Sequence, residues 1–182
     1  MESSEIVVRI ANAADADFAL PIAAEMEASA KARGTGIAKR SPDLIKKKIL
    51  EGKAIIAFTR DGVWAGFSYL QTWQHEQFVS NSGLIVAPAF RGLGVAAAIK
   101  QQLFNLCRIR YPQARLFGIT TGGAVMKINA RLGYVPVTYA DITQDPAFWE
   151  GCKSCVNYPI LTAKGFKHCL CTAMLFDPVM QQ

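Results

Sequence analysis

The segment from Val86 to Ala96, VAPAFRGLGVA, constrains the fold of this chain more than any other. An apolar run ends at Val86, Pro88 interrupts it, and the chain turns through residues 91–94 (RGLG) before a helical pattern begins. Glycines at a strand-to-helix junction predict uncovered main-chain amides at the positive end of a helix, which is where a phosphate or diphosphate binds. Arg91 is expected to add a fixed positive charge at the same place.

Three kinds of glycine-rich phosphate motif, and an ordinary glycine-containing connection, are alternatives for this segment. A Walker loop ends in Gly-Lys-Ser/Thr, and no such ending follows Gly94. A dinucleotide-binding turn tolerates the sequence GLGVAA, but it needs an acidic residue after the next strand, where this chain has TTGG at 120–123. The third motif is R-x-x-G-x-A preceded by V-x-P-x-F, and the segment matches it in full.

This third motif resembles the acyl-CoA-binding motif of the GNAT superfamily of N-acyltransferases. The resemblance implies that acetyl-CoA is a co-substrate, with its diphosphate on the amides of the turn and its pantetheine arm along the edge of the preceding strand. The cofactor-binding residues that it implies are Leu84, Ile85, Val86, Arg91, Gly92, Leu93, Gly94, Val95 and Ala96. The side chains of the first three are core in any interpretation, so only their backbone groups are assigned to the cofactor.

The rest of the chain alternates between strand and helix patterns, without internal repeats. Strands are predicted at 5–11, 53–59, 63–72, 78–86, 115–120, 134–142 and 167–176. Helices are predicted at 14–31, from a Ser-Pro-Asp cap at 41–43 to residue 51, from the glycine turn to residue 110, at 124–132, and in a short segment after Asp145. With the resemblance, this order implies an α/β fold of the GNAT type over one domain, residues 1–182. It would have a mixed, mostly antiparallel sheet of about six to seven strands, a splayed central pair and flanking helices.

Composition and charge are those of a globular protein that is suited to anions. Hydrophobic residues make up 51% of the chain and charged residues 19%, which excludes a disordered protein. No apolar run approaches the roughly 20 residues that span a bilayer, and the acidic start MESSE is unlike a signal peptide, so we expect a cytoplasmic protein with no membrane partner. The net charge of +6 is spread along the chain, which suits a polyanionic cofactor and an acidic substrate without requiring nucleic acid. The oligomeric state stays open.

Transfer of an acyl group from a thioester to an amine needs a neutral amine, a route for its proton, and a donor for the departing thiolate. The candidate bases nearest to the splayed strand are His75 and Glu76, and the alternative is that both lie at a solvated hairpin end. The polar run at 80–82 (SNS) interrupts an apolar strand. It predicts either a wet cavity wall or the exposed face of an edge strand.

Asn129 departs from the pattern that the resemblance implies. A tyrosine that protonates the thiolate often lies four residues before the Gly-aromatic pair closing the next helix, which here is Gly133-Tyr134. An asparagine amide donates a hydrogen bond but does not deliver a proton at neutral pH. Three alternatives therefore stay open: Asn129 only orients the thioester, another group or water protonates the sulfur, or the CoA thiolate leaves unassisted.

The basic segment KARGTGIAKR at 31–40 joins the first two predicted helices, a connection that forms part of the acceptor site in GNAT folds. Arg33 and Arg40 are each suited to bind a carboxylate through two parallel hydrogen bonds. Thr120 and Thr121 would form a second polar lip of the cleft. The alternative is a solvated basic loop.

The combination of RGTGIAKR, FVSNSGLIV, TTGGAVMK and FWEGC resembles a subgroup of small GNAT proteins linked to arginine biosynthesis, which are N-acetylglutamate-synthase-like. This resemblance implies that the acceptor is a small-molecule amine of anionic character, such as glutamate or another acidic amino acid. A second class of function stays open, because Asn129 also suits a non-catalytic acyl-CoA-binding sensor or regulatory protein.

Four of the five cysteines are paired in sequence as Cys152-x-x-Cys155 and Cys169-x-Cys171. The first spacing is compatible with zinc, and the second is predicted to place both thiols on one face of a strand. Reduced structural thiols are the favoured interpretation, so zinc is an alternative and no residue is assigned to a metal.

Overall fold

A seven-stranded mixed sheet organises the computed structural model, which describes residues 5–34 and 39–181. The strands are β1 (Ile6–Ile10), β2 (Ala54–Thr59), β3 (Trp64–Trp73), β4 (Phe78–Val86), β5 (Arg115–Thr120), β6 (Val135–Val137) and β7 (Thr172–Phe176). They lie in the order β1-β2-β3-β4-β5-β7-β6. The β4–β5 pair is parallel and the other neighbours are antiparallel, which confirms the predicted fold class.

Six α-helices flank the sheet. They are α1 (Ala19–Arg33), α2 (Pro42–Leu50), α3 (Val95–Arg110), α4 (Gly123–Arg131), α5 (Pro146–Glu150) and α6 (Tyr158–Ala163). Short 3₁₀ turns lie at Ala13–Phe18, Pro88–Phe90, Tyr139–Asp141, Gly151–Ser154 and Pro178–Gln181. The predicted cap of α2 is present, since the Ser41 hydroxyl accepts a hydrogen bond from the Leu44 amide at 3.1 Å.

Alternating strand residues build a separate core on each face of the sheet. In β2, Ile55 packs into a core with α3, and its neighbour Ile56 packs into a core with α1 and α2. A third cluster, which includes Phe117 and Trp149, joins strands β5 and β7 to α5 and α6. The segment between β6 and β7 therefore packs on the sheet through a core of its own.

The structure corrects three local predictions. The last strand begins at Thr172, so Cys169 and Cys171 precede it and do not share a strand face. The predicted strand 134–142 is extended only at Val135–Val137 and then becomes a 3₁₀ turn. Helix α6 and the turn before it were not predicted, because neither carries a strong cap or a long period.

The buried face of α3 carries one charged residue. Ala98 and Gln102 are exposed, whereas Lys100 and Cys107 are buried.

In the described part of the chain, no helix combines the length and the apolar character needed to cross a bilayer.

Candidate functional site

Strands β4 and β5 pair for a short distance and then separate. The described pairing covers Phe78 to Ser80 of β4, opposite Arg115 to Phe117 of β5. Beyond Ser80, β4 runs on for six residues with β3 on one side, and no described strand pairs with its other edge. Those backbone groups face an open gap, as the predicted splay requires.

A bulge shapes β4 beside this gap. The register advances two residues along β3, from Phe67 to Tyr69, against three along β4, from Ile85 to Ser82. Gly83 takes a φ of +63°, and a Cβ added there would come within 2.6 Å of the Tyr69 ring. Only glycine meets both requirements without displacing the strand.

We expect Gly83→Ala to lower the free energy of unfolding by about 2 kcal/mol or more, because it adds a clash to an unfavourable φ. Urea denaturation measures the loss. Gly151→Ala is the matched control, since Gly151 has a φ of −60° and its added Cβ meets no described atom within 4 Å. Equal stability of the two variants would show that the bulge tolerates a side chain.

The glycine turn between β4 and α3 exposes its main-chain amides. Gly92 and Gly94 have φ values of +77° and +80°, and a Cβ built at either meets no described atom within 4 Å. Gly94 caps α3 without a side-chain hydrogen bond, and the amides from Gly92 to Ala96 make no hydrogen bond to a described residue. The amides from Gly92 to Ala96 are thus free donors at the positive end of a 16-residue helix, a setting that suits an anion.

The Arg91 side chain is directed elsewhere. Its guanidinium donates to Glu25 Oε1 at 2.9 Å and Ser29 Oγ at 2.8 Å on α1, and to the Val86 carbonyl at 3.1 Å. Arg91 therefore fastens the turn to α1, and its backbone rather than its charge belongs to the set of free groups.

A cavity of about 490 Å³ follows the gap between β4 and β5. Its lining includes four cationic side chains, and none of its described lining residues is Asp, Glu or His. The cations are Arg33, Lys39, Arg40 and Lys100. The chamber is therefore electropositive and suits a ligand with negative charge.

All four residues predicted to bind the acceptor line this cavity, namely Arg33, Arg40, Thr120 and Thr121. Arg40 donates from Nε to the hydroxyl of Tyr69 on β3 at 2.8 Å, beside the bulge. The part of the basic loop at 35–38 lies outside the described residues.

The polar run 80–82 lies in the cavity wall, so the wet-wall interpretation fits better than an exposed edge strand. Ser80 accepts a hydrogen bond from the Trp73 indole at 2.9 Å and lies 3.2 Å from the Ser82 hydroxyl on the same face. Asn81 points to the opposite face, where its Oδ1 accepts from the Tyr134 hydroxyl at 2.5 Å.

No family model matches the sequence, and no curated protein matches it. Solved structures do match the fold. The Mycobacterium tuberculosis protein Rv2747, in complex with CoA, has a TM-score of 0.67 and 21% identity, over 94% of this chain and 98% of that one. N-acetylglutamate synthase from Neisseria gonorrhoeae, complexed with coenzyme A and N-acetyl-glutamate, has a TM-score of 0.66 and 16% identity. That match covers 97% of this chain and 36% of the synthase chain.

A third match is a GNAT superfamily phosphinothricin acetyltransferase from Sinorhizobium meliloti, in complex with AcCoA, with a TM-score of 0.62 and 14% identity over 94% of this chain and 88% of that one. The chain has the GNAT fold. Within this fold, the separating β4–β5 pair and the glycine turn before α3 lie together at one end of the central strands.

Within this GNAT fold, the structure does not bring His75 and Glu76 to the cavity. Both are exposed in the β3–β4 turn, with φ values of +54° and +65°, and neither lines the chamber. The neighbouring Gln74 accepts hydrogen bonds from Thr143 and Gln144, which fastens the turn to the segment just before α5. Their placement is that of a solvated hairpin end.

Asn129 is the buried residue of α4. It is 1% exposed and lines the cavity. Its Nδ2 contacts the Met174 sulfur at 3.7 Å, and its Oδ1 is buried without a hydrogen-bond partner. A buried acceptor left unpaired is costly, so this oxygen is ready to take a hydrogen bond from a ligand N–H.

The four C-terminal cysteines meet at the cavity although they are not on one strand face. Cys152, Cys155, Cys169 and Cys171 all line it. No group of three or more His, Cys, Asp or Glu side chains in residues 5–34 and 39–181 is arranged to hold a metal ion. Burial raises the pKa of Cys152 to about 11 and that of Cys171 to about 12, so both are neutral thiols near pH 7.

Proposed function

We propose that this chain is an N-acetyltransferase that moves the acetyl group of acetyl-CoA to the primary amine of a small anionic acceptor. The α-amine of glutamate or of another acidic amino acid is the acceptor that we favour. The observation that carries the proposal is one continuous cavity, which joins the free edge of β4 to a chamber with four cations and no described carboxylate.

The donor side rests on the backbone. The free amides from Gly92 to Ala96 would hold the diphosphate at the start of α3, and the free edge of β4 would pair with the amides of the pantetheine arm. Both contacts use main-chain groups, whose positions are set by the sheet and by the helix. They would orient the thioester towards the point where β4 and β5 meet, and such positioning supplies much of the acceleration in an aminolysis.

The acceptor side rests on charge. Arg33 and Arg40 approach the chamber from the α1–α2 connection, and Arg40 is oriented by the Tyr69 hydroxyl. A guanidinium binds a carboxylate through two parallel hydrogen bonds, so this pair favours an acceptor with one or two carboxylates. A cationic acceptor would meet four like charges and no described acid in the lining.

The attacking amine must lose a proton, and no described Asp, Glu or His lines the chamber. The hydroxyls of Ser68, Ser80 and Ser82 do line it. Such a wall can hold water between the amine and solvent, and water can carry the proton away. We therefore assign proton removal to a water relay along this wall in place of His75 and Glu76.

The first test is thiol release from acetyl-CoA in the presence of glutamate, aspartate, glutamine or lysine. We expect release with the acidic amino acids and much less with glutamine and lysine. Tight acetyl-CoA binding by calorimetry without thiol release for any amine would instead support the acyl-CoA sensor. Release that is fastest with lysine would contradict the anionic acceptor.

An Arg40→Met variant tests the acceptor site directly. We expect the KM for the acidic amino acid to rise roughly 10- to 100-fold, because a charge-assisted pair to a carboxylate is lost. The Kd for acetyl-CoA should be unchanged, since Arg40 is distant in sequence from the glycine turn and belongs to the acceptor wall. Arg60→Met, at the exposed β2–β3 turn outside the cavity lining, is the matched control. An unchanged KM in Arg40→Met would mean that this guanidinium does not contact the acceptor.

A further inference from the structure

Lys100 is a charged residue on the buried face of α3. Five of the six buried residues of this helix are apolar, and Lys100 is the sixth, with 4% of its surface exposed. It follows Gly94 by six residues, which places it about 9 Å along the helix axis from the glycine turn. Its side chain lines the cavity below the gap between β4 and β5.

The surroundings of Lys100 do not neutralise its charge. Its Nζ lies 5.6 Å from the centroid of the Tyr134 ring, a cation–π contact, and no carboxylate of a described residue contributes to its electrostatic environment. Keeping an ammonium in such a place is costly in free energy. The folded protein would be more stable with an apolar residue at this position, so packing alone does not explain a lysine here.

Lys100, Asn81 and Asn129 all line the cavity under the gap, and together they form its polar floor. Asn81 of β4 bonds the Tyr134 hydroxyl through Oδ1 and the Cys107 thiol through Nδ2, at 2.5 and 3.5 Å. Asn129 of α4 lines the same cavity and keeps Oδ1 unpaired. A ligand that follows the free edge of β4 would bring its end to this floor, which has one buried cation and one acceptor without a hydrogen-bond partner.

Lys100 is the member of this floor that can exchange a proton near neutrality. Burial lowers its pKa to about 8, an effect that the nearby Cys107 thiol partly opposes. The other titratable groups that face it are Cys107 of α3 and Tyr134 before β6. Burial raises the pKa of Cys107 to about 12 and that of Tyr134 well above 10, so both hold their protons. Asn81 of β4 and Asn129 of α4, which line the same cavity, do not titrate.

We propose that Lys100 is the proton donor to the CoA sulfur in the proposed acetyl transfer. As the C–N bond forms, the C–S bond breaks and its electron pair goes to sulfur, which takes a proton from Lys100 Nζ. The products are the amide, the CoA thiol and a neutral lysine. The amine proton leaves through the water relay, and solvent reprotonates Lys100 when the products depart. This inference rests on the proposed function, and it supplies the donor that the Asn129 amide cannot be.

The test compares Lys100→Met with Lys100→Arg, by thiol release between pH 6 and 10 and by calorimetric binding of acetyl-CoA. We expect kcat to fall roughly 100-fold or more in Lys100→Met, with the Kd for acetyl-CoA little changed. Wild-type kcat should decline as the pH rises through about 8, where Lys100 loses its proton, and this decline should be absent in the variant. Deprotonation of the acceptor amine changes activity in the opposite direction, because activity rises with pH as the amine becomes neutral.

Lys100→Arg keeps the charge but does not release a proton in this pH range, so it should not restore activity. Lys48→Met is the matched control, because Lys48 is another buried lysine, on α2 and outside the cavity lining. Lys100→Gln repeats the comparison should the Met variant misfold. Activity restored by arginine, or a wild-type pH profile in either uncharged variant, would overturn the donor role. A wild-type protein without thiol release for any amine would overturn the acetyltransferase itself.

Discussion

A Gly94→Val variant is expected to lose acetyl-CoA affinity by at least roughly 100-fold, because a side chain at this position occupies the space over the free amides. Two lost hydrogen bonds to a charged phosphate amount to about 3 kcal/mol or more, and each 1.4 kcal/mol is tenfold in Kd. Isothermal calorimetry with acetyl-CoA gives the value directly.

Gly62→Val separates this effect from backbone strain. Gly62, in the β2–β3 turn, has a φ of +87°, and a Cβ added there also meets no described atom within 4 Å. Both valine variants should therefore lose about 1–3 kcal/mol of stability through strain. Only Gly94→Val should lose acetyl-CoA binding, and retained binding would show that the diphosphate is held elsewhere.

A Lys100→Met variant is expected to have a free energy of unfolding about 3 kcal/mol larger than that of the wild type at pH 7, because the cost of burying the ammonium disappears. The ordinary lysine pKa of 10.5 falls to about 8 in the folded protein. Between these values the unfolded chain binds the proton more tightly, so wild-type stability rises with pH through this window. Below pH 8 the cost is fully present, and above 10.5 it is gone.

The difference in the free energy of unfolding between Lys100→Met and the wild type, measured by urea denaturation, should therefore shrink by about 2 to 3 kcal/mol between pH 7 and pH 10. Lys46→Met is the control, because Lys46 is exposed on α2 and its substitution should leave the pH dependence unaltered. A constant difference between Lys100→Met and wild type across this range would mean that the buried amine does not titrate as the structure requires.

The parts of the site that rest on local backbone signals could be predicted from the sequence. The bounds of β4 and β5 agree with the predicted 78–86 and 115–120, and the glycine turn lies where the motif requires it. Glycine spacing and strand alternation are short-range properties, so neighbouring residues are enough to specify them.

The parts that depend on distant contacts could not be predicted in the same way. His75 and Glu76 are close to β4 in sequence, but the extended strand carries them away from the gap. Lys100 does carry a local signal of burial, since it precedes Leu103 by three residues and Cys107 by seven and therefore shares their side of a helix. The meeting of four cysteines at the cavity depends on the 3₁₀ turn and α6, whose patterns are weak.

The cysteines that line the cavity have a consequence for the selectivity of the proposed reaction. A thiolate beside a bound thioester would take the acetyl group by sulfur-to-sulfur exchange, which competes with direct transfer to nitrogen. Because Cys152 and Cys171 keep their protons near neutral pH, they are poor nucleophiles. The burial that keeps these two thiols protonated, as much as the shape of the chamber, would therefore reserve the acetyl group for an incoming amine.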